Sequence, residues 1–109
     1  MFLERKEHEM KYITDYKEFD SSAQKSILTH VSKEEHPQKQ KILAYMKAGK
    51  DDGIRCSHVH DYIEDENVML TVRLYTDGEY SWTSEELYHF EKYNLELNKD
   101  FIKKIVNQY

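Results

Sequence analysis

The sequence has only one cysteine, one proline and three glycines among its 109 residues, and it has no long apolar run. With one cysteine, Cys56, an internal disulfide is impossible, and nothing indicates an oxidising compartment. The first ten residues, MFLERKEHEM, lack the apolar stretch of a signal peptide. No segment approaches the ~20 apolar residues that a membrane span requires. We therefore expect a cytoplasmic protein that does not associate with membranes.

Basic residues are also too few for nucleic-acid binding. The chain has 16 Lys and Arg against 21 Asp and Glu, which gives a formal net charge of -5. Proteins that bind nucleic acids usually carry a basic stripe, because contacts with phosphates dominate their affinity. We expect no nucleic-acid partner. The acidic balance is typical of ordinary solubility and is also compatible with a basic protein partner.

The chain is, however, rich in aromatic residues, at 13%. Disordered chains are poor in aromatic residues, and 109 residues is close to the commonest length of one domain. Helical and strand patterns both occur, without an internal repeat or a low-complexity linker. We predict a single α+β domain over residues 1–109, with a short antiparallel sheet of about three strands packed against four or five helices.

Helical patterns dominate the first half. Residues 1–19 are ambiguous, and their closely spaced charges favour helix over strand. A second helix is predicted to begin at Asp20 and Ser21, with an apolar stripe made by Ala23, Ile27, Leu28 and Val31. A third begins near Pro37 and ends at Gly49 in a left-handed conformation. Its predicted buried residues are Ile42, Leu43 and Met46.

Strand patterns follow. The runs 54–63 and 68–75 are rich in β-branched and aromatic residues and should pair as an antiparallel hairpin around the acidic turn 64–67. Alternation in the second run predicts one buried face, made by Val68, Leu70, Val72 and Leu74. The dipeptide Asp77-Gly78 favours a tight turn in which both residues have positive φ. A short return strand, 79–82, should follow, with Tyr80 and Trp82 on one face.

The C-terminal third reads as two helices. Thr83 and Glu86 have the spacing of a capping box, and the helix should turn Leu87, Phe90 and Tyr93 toward the core. Asn98 is predicted to cap the last helix, whose apolar stripe is Phe101, Ile102, Ile105, Val106 and Tyr109. Gly78, Trp82 and Thr83 are then explained as the joint between strand and helix, without a ligand.

The best candidate for a metal site is CSHVHD, at residues 56–61. On one continuous strand, Cys56, His58 and His60 would share a face, and a sulfur with two imidazoles suits zinc. Alternate side chains on a strand run parallel and do not converge on an ion, so we predict no metal and no other cofactor. Cys56 with His58 as its base is a further candidate, but a reactive thiol needs a positive environment that the sequence does not indicate.

Paired carboxylates at 51–52, 64–66 and 85–86 lie in predicted turns or first helical turns. There they solvate the chain or complement the helix dipole. The sequence has no phosphate-binding loop and no HExxH motif. We therefore predict no catalytic residues.

A group of aromatic residues surrounds the predicted hairpin and the helix after it. Packing at the core explains these residues first. The alternative is a binding face, because Tyr and Trp anchor protein interfaces and the acidic residues among them would suit a basic partner. The candidate partner-binding residues are Tyr75, Asp77, Glu79, Tyr80, Trp82, Glu85 and Tyr88.

The C-terminal half, KILAYMKAG … YTDGEYSWTSEELYHFEKYNLELNKDFIKKI, resembles small uncharacterised bacterial proteins, including immunity proteins of polymorphic-toxin and contact-dependent inhibition systems. The shared features are a DGxYxW hairpin, an aromatic helix ending in EKY and a final DF helix, over about residues 41–105. The chain departs from this pattern at Lys99, where proline is expected, and in CSHVHD. The resemblance implies no catalytic residues.

Three functional hypotheses follow. The first is a non-enzymatic cytoplasmic protein-binding domain that neutralises a basic toxin domain by covering its active site. The second is a small metal- or thiol-dependent enzyme that uses Cys56, His58 and His60. The third is a subunit whose aromatic face mediates self-association, for example as a homodimer.

Overall fold

The structure, a computed structural model, describes residues 10–55, 57–69 and 71–108. These residues form six strands, three α-helices and one short 3-10 helix, Ile27–Thr29. The strands and α-helices are, in chain order, β1 (Lys11–Tyr12), α1 (Lys39–Lys47), β2 (Lys50–Arg55), β3 (Val59–Asp61), β4 (Glu66–Met69), β5 (Val72–Thr76), β6 (Tyr80–Thr83), α2 (Ser84–Tyr93) and α3 (Lys99–Gln108).

The strands form two sheets. One has the order β1-β6-β5-β2, in which β1 is parallel to β6 and the other pairs are antiparallel. The second is the β3–β4 hairpin. The α+β class is as expected, but the prediction of about three strands against four or five helices is wrong. The sequence KDDGIR of β2 is polar and fully exposed, so its strand pattern is weak.

The runs 54–63 and 68–75 pair in antiparallel register, as predicted, but the pairing is interrupted in the middle. Each run is divided between two strands, so β2 pairs with β5 and β3 pairs with β4. The turn lies at residues 62–65, where Asp65 has a φ of 58°. Val68 is 37% exposed whereas Val72 is buried, so the face predicted for one long strand does not exist as such. Leu70 lies outside the described residues.

The predicted N-terminal helices do not form within residues 10–31. Residues 11–12 are strand β1, and Tyr16 forms an isolated bridge with Lys25. Side-chain hydrogen bonds explain why the second predicted helix does not form, because they give the backbone of this segment other partners. The Glu18 carboxylate accepts from Ser26 Oγ and Ile27 N, at 2.6 and 3.0 Å. Residues 1–9, the rest of the first predicted helix, lie outside the described residues.

Helix α1 confirms the predicted burial of Ile42, Leu43 and Met46. The left-handed stop at Gly49 is wrong, because positive φ among the described glycines occurs at Gly53 and Gly78. Gly49 is required by packing instead. A Cβ at this position would lie 2.6 Å from Trp82 Cζ2.

The C-terminal third confirms most of its predictions. Tyr80 and Trp82 are buried, and Thr83 and Glu86 form the capping box of α2. The turn before β6 differs in that Gly78 alone has positive φ. Asp77 acts through its side chain, whose Oδ1 accepts from Glu79 N and Tyr80 N. Asn98 Oδ1 accepts from two amides at the start of α3, while Tyr109 lies outside the described residues.

The main core lies between the four-stranded sheet and the helices. Its centre is Trp82, 1% exposed, whose Nε1 donates to Met46 O at 3.2 Å. A second, smaller core forms around Tyr16, Ile27 and Leu95. This cluster packs the loop 17–31 against the link between α2 and α3.

Candidate functional site

The seven candidate partner-binding residues do not share one exposed surface. Tyr80, Trp82 and Glu85 are buried. Tyr75 stacks on Trp82, and Asp77 Oδ2 accepts from Tyr45 and Lys104. The last two are Tyr88, whose hydroxyl donates to Asp61, and Glu79, which is exposed and paired with Lys11 and Lys104. The aromatic members therefore serve the core and its polar boundary.

The CSHVHD segment is not one continuous strand. Strand β2 ends at Arg55 and β3 begins at Val59, with a bend at Ser57, so His58 and His60 do not lie on one strand. His58 is exposed, and Cys56 lies outside the described residues. Among the residues that the structure describes, no three His, Cys, Asp or Glu side chains are placed to hold a metal.

His60 closes the tip of the β3–β4 hairpin. Its Nδ1 lies 2.8 Å from Asn67 Oδ1 and its Nε2 lies 3.0 Å from Asp65 Oδ1. Both partners are oxygen acceptors, so the doubly protonated imidazolium satisfies both contacts. The hydrogen bond to Asn67, followed by the contacts with Asp65, raises the pKa of His60 against the opposing effect of burial. Both ring nitrogens of His60 are therefore occupied by contacts within the hairpin.

Asp61 is a carboxylate that the fold surrounds with hydrogen-bond donors. It is fully buried and accepts hydrogen bonds from the hydroxyls of Tyr88 and Tyr93, at 2.6 and 2.5 Å, and from the amides of Ile63 and Glu64. Burial alone would raise the pKa of Asp61, but these four donors outweigh it and hold the pKa below its ordinary value. The network joins α2 to the β3–β4 turn.

His89 is a second buried group that α2 contributes to this region. Its Nδ1 lies 2.7 Å from Glu85 O, and its Nε2 lies 3.1 Å from Tyr62 N. Because the carbonyl can only accept and the amide can only donate, His89 is neutral with its proton on Nδ1. Burial lowers the pKa of His89. Both nitrogens of the ring are therefore occupied, and the ring connects α2 to the backbone at Tyr62.

A cleft of 390 Å³ opens at the four-stranded sheet, and we call it the Glu85 cleft. Tyr12, Leu74 and Ser81 line it from the sheet, because they alternate with the residues that face the core. The loop containing Phe19 and Ser21 forms one wall. Arg55 and Glu85 also line the cleft.

Glu85 is the buried acid of this cleft, and its side chain is incompletely satisfied. The residue is 6% exposed, and its Oε2 accepts from His60 N at 2.8 Å. Within the part of the chain that the structure describes, the Glu85 side chain has no other hydrogen bond and no ion pair within 4.0 Å. Burial raises the pKa of Glu85, while the His60 amide and the charge of Arg55 oppose the rise and Glu86 adds to it.

The neighbouring acid, Glu86, has a different role. It is 1% exposed, its Oε1 accepts from Thr83 N at 2.9 Å, and its Oε2 accepts from the Thr14 hydroxyl. The sequence predicted that both glutamates complement the helix dipole at the start of α2. Both do lie in the first turn of α2, but they are buried and not solvated. No sequence signal separates Glu85 from Glu86 except the capping-box spacing, which assigns Glu86 alone.

Two exposed segments of the described chain, β2 and residues 64–68, are rich in acidic residues, and we call them together the acidic edge. Every residue of β2 and of 64–68 is exposed. Arg55 belongs to this edge and also lines the Glu85 cleft. Two of the three exposed large hydrophobic residues in the described chain, Ile54 and Val68, lie here. The exposed acidic residues of the edge are Asp51, Asp52, Glu64, Asp65 and Glu66.

Comparisons with protein-family models, with curated proteins and with solved structures found no match. None of the helices in the described residues is both long and apolar enough to cross a membrane. The acidic edge and the Glu85 cleft are the features of the described chain whose chemistry bears on function.

Proposed function

We propose that this protein is a non-enzymatic, cytoplasmic protein-binding domain that covers a basic partner in the manner of an immunity protein. The supporting observation is the acidic edge, whose two segments carry five exposed acids and the exposed apolar residues Ile54 and Val68. An apolar contact surrounded by charge is a common form of protein interface. Complementary charge on a basic partner would accelerate the encounter and select against other partners.

The charges of the edge favour a basic partner over a second copy of this chain. If two copies paired through β2, they would bring Asp51 and Asp52 of each copy close together, and like charges that face each other destabilise an interface. The strand also has a register shift between Asp51 and Ile54, with Gly53 at a φ of 116°. Bulges and charged residues are features that protect an edge strand from pairing with another copy.

The internal polar groups give no comparable support to the enzyme hypothesis. His60, Asp61 and His89 each have their polar atoms occupied by groups of the fold. In the part of the chain that the structure describes, no buried side-chain nitrogen or oxygen lacks a hydrogen-bond partner. These arrangements are explained by folding alone.

Co-expression with the product of the adjacent reading frame tests the proposal. We expect a stable one-to-one complex by size-exclusion chromatography with light scattering. Replacing Asp51 and Asp52 together by lysine should abolish the complex, because the electrostatic attraction becomes repulsion. The matched control replaces Glu34 and Glu35, an exposed acidic pair outside the edge, and should retain it. A complex that survives both double substitutions, or failure to obtain a complex at all, would contradict the proposal.

A further inference from the structure

We propose that the Glu85 cleft receives the side chain of a lysine or arginine from the partner, with Glu85 Oε1 as the acceptor. The inference rests on the proposed function and specifies a contact within it. It starts from an observation that the acidic edge does not include, namely a buried carboxylate that lines an open cleft and has a donor on only one of its two oxygens.

The hydrogen bonding of Glu85 leaves Oε1 for a ligand. A carboxylate has two oxygens and about four acceptor positions, and the described chain supplies one donor, His60 N, to Oε2. No buried oxygen in the described residues lacks a partner, so Oε1, which has none, must have access to the cleft. A donor that enters the cleft can reach this atom without displacing a protein group.

The charge of Glu85 favours a cation as that donor. Burying an ionised carboxylate without a counter-ion is costly, and the cost is reduced when a cation arrives with good hydrogen-bond geometry. Ammonium and guanidinium groups both form short charge-assisted hydrogen bonds with carboxylates. A neutral donor would leave the buried charge uncompensated, so the cleft should prefer cations.

The other cleft residues suit the stem of such a side chain. Leu74 and the aromatic residues Tyr12 and Phe19 line the cleft together with Ser21 and Ser81. The methylene groups of lysine and arginine pack on apolar surface while their charged ends reach polar groups. Aromatic rings also attract cations through their faces. The cleft therefore combines apolar and aromatic groups with the carboxylates of Asp20, Glu85 and Glu86.

Arg55 is a cation of this chain that would compete with an external cation for Glu85. It is exposed and lines the cleft, but no ion pair joins it to Glu85 within 4.0 Å. Its positive charge acts on Glu85 from a distance and opposes the rise in pKa. Removing this charge should strengthen binding of an external cation. Arg55→Gln therefore provides a variant with the opposite sign of effect.

Nuclear magnetic resonance titration with butylammonium and butylguanidinium chloride tests the cleft without any partner. The reporter is the backbone amide of His60, which donates to Glu85. We expect saturable shifts of this amide in the wild type, and binding about tenfold weaker in Glu85→Gln, the loss expected for one charge-assisted hydrogen bond. Arg55→Gln should bind the probes more tightly than the wild type.

Two controls keep the result interpretable. The glutamine at position 85 can still accept from His60 N, so Glu85→Gln should retain the fold, which the near-ultraviolet circular dichroism of Trp82 monitors. Glu91→Gln makes the same chemical change at an exposed position of the same helix and should bind the probes like the wild type. Shifts that do not saturate, or that are equal in the wild type and Glu85→Gln, would overturn the proposal.

A second measurement separates this inference from the proposed function. If the partner complex forms, Glu85→Gln should weaken it about tenfold or more, since the contact is buried and charge-assisted. Equal affinity of the wild type and Glu85→Gln for the partner would overturn the cleft contact and leave the proposed function standing. Saturable probe binding by a protein for which no partner is found would support the cation site and count against the proposed function alone.

Discussion

At the scale of single residues, Asp61 has the largest predicted effect on folding. Substitution by asparagine keeps the shape but places an NH2 group among four hydrogen-bond donors. We expect Asp61→Asn to lower the free energy of unfolding by about 2–4 kcal/mol at neutral pH, because buried donors lose a charged acceptor. Urea denaturation followed by circular dichroism measures this loss.

The pH dependence of the same variant provides its control. Because the folded pKa of Asp61 is held below the unfolded value, its stabilising effect is present above the unfolded pKa and is lost as pH falls through the folded one. The stability gap between the wild type and Asp61→Asn should therefore narrow in acid. Asp65→Asn, at an exposed position, should cost much less. A gap that is constant with pH would contradict this account of the network.

The pKa of His60 should lie above the ordinary value of a histidine, and the pKa of His89 should lie below it. Hydrogen bonding to Asn67 and Asp65 raises the pKa of His60, so its contribution to stability is full below the unfolded pKa and is lost as pH rises through the folded one. Burial lowers the pKa of His89, so its contribution is lost as pH falls. Titration by nuclear magnetic resonance should give His60 the higher pKa. The reverse order would contradict both hydrogen-bond assignments.

At the scale of elements, two glycines are needed for different reasons. Gly49 is close to Trp82, and a Cβ there would lie 2.6 Å from Cζ2, so Gly49→Ala should cost about 1–3 kcal/mol by overpacking. Gly78 has open space around it but a φ of 96°, so Gly78→Ala should cost about 1 kcal/mol through backbone conformation. Thermal denaturation measures both.

A double-mutant cycle distinguishes these two causes. Trp82→Phe shortens the side chain that a Cβ at position 49 would meet, so it should reduce the cost of Gly49→Ala. It should leave the cost of Gly78→Ala unchanged, because nothing lies within 4 Å of a Cβ at position 78. Equal coupling of both glycine variants to Trp82 would show that steric contact is not the difference between them.

The elements also show which structure can be predicted from sequence. Helix α2 and the turn before β6 are encoded locally, by the capping box of Thr83 and Glu86 and by Gly78. The capping box is confirmed, and the turn forms with positive φ at Gly78 alone. Strand β2 depends on its pairing with β5, which lies about twenty residues away in the chain, and its exposed polar sequence does not reveal it. The loop 17–31 depends on side-chain bonds to Glu18, which the helical spacing of Ala23, Ile27 and Leu28 conceals.

The candidate site was less predictable than the fold. Sequence reasoning included Glu85 among the partner-binding residues but grouped it with Tyr80 and Trp82, which lie in the core. It did not include Arg55 at all. The Glu85 cleft is lined by residues of β2, α2 and the loop at Phe19, which are distant in the sequence. No local sequence pattern predicts that these segments come together.

At the scale of the whole molecule, the net charge of -5 should act mainly on the rate of association. Salt screens charges in solvent over a distance of about 8–10 Å at ordinary ionic strength. For a complex with a basic partner, raising the salt concentration should slow association strongly and change dissociation little. Surface plasmon resonance over a salt series measures both rates.

The apolar residues of the acidic edge should act on the rate of dissociation and not on the rate of association. Ile54→Ala removes buried contact area from the complex without changing charge, so it should accelerate dissociation and leave association nearly unchanged. Leu28→Ala, at the other strongly exposed hydrophobic residue, is the matched control and should change neither rate. An equal effect of both substitutions would mean that the edge is not the contact surface.

The central claim, that a basic partner occupies the Glu85 cleft, is tested most directly by a photo-crosslinking amino acid at Ser21. Ser21 is exposed and lines the cleft, whereas Glu35, the control position, is exposed outside it. The account predicts one crosslinked basic protein in the source cell, captured from position 21, absent from position 35 and strongly reduced when Glu85→Gln is added. Capture from both positions alike, or capture from position 21 that Glu85→Gln does not reduce, would contradict it.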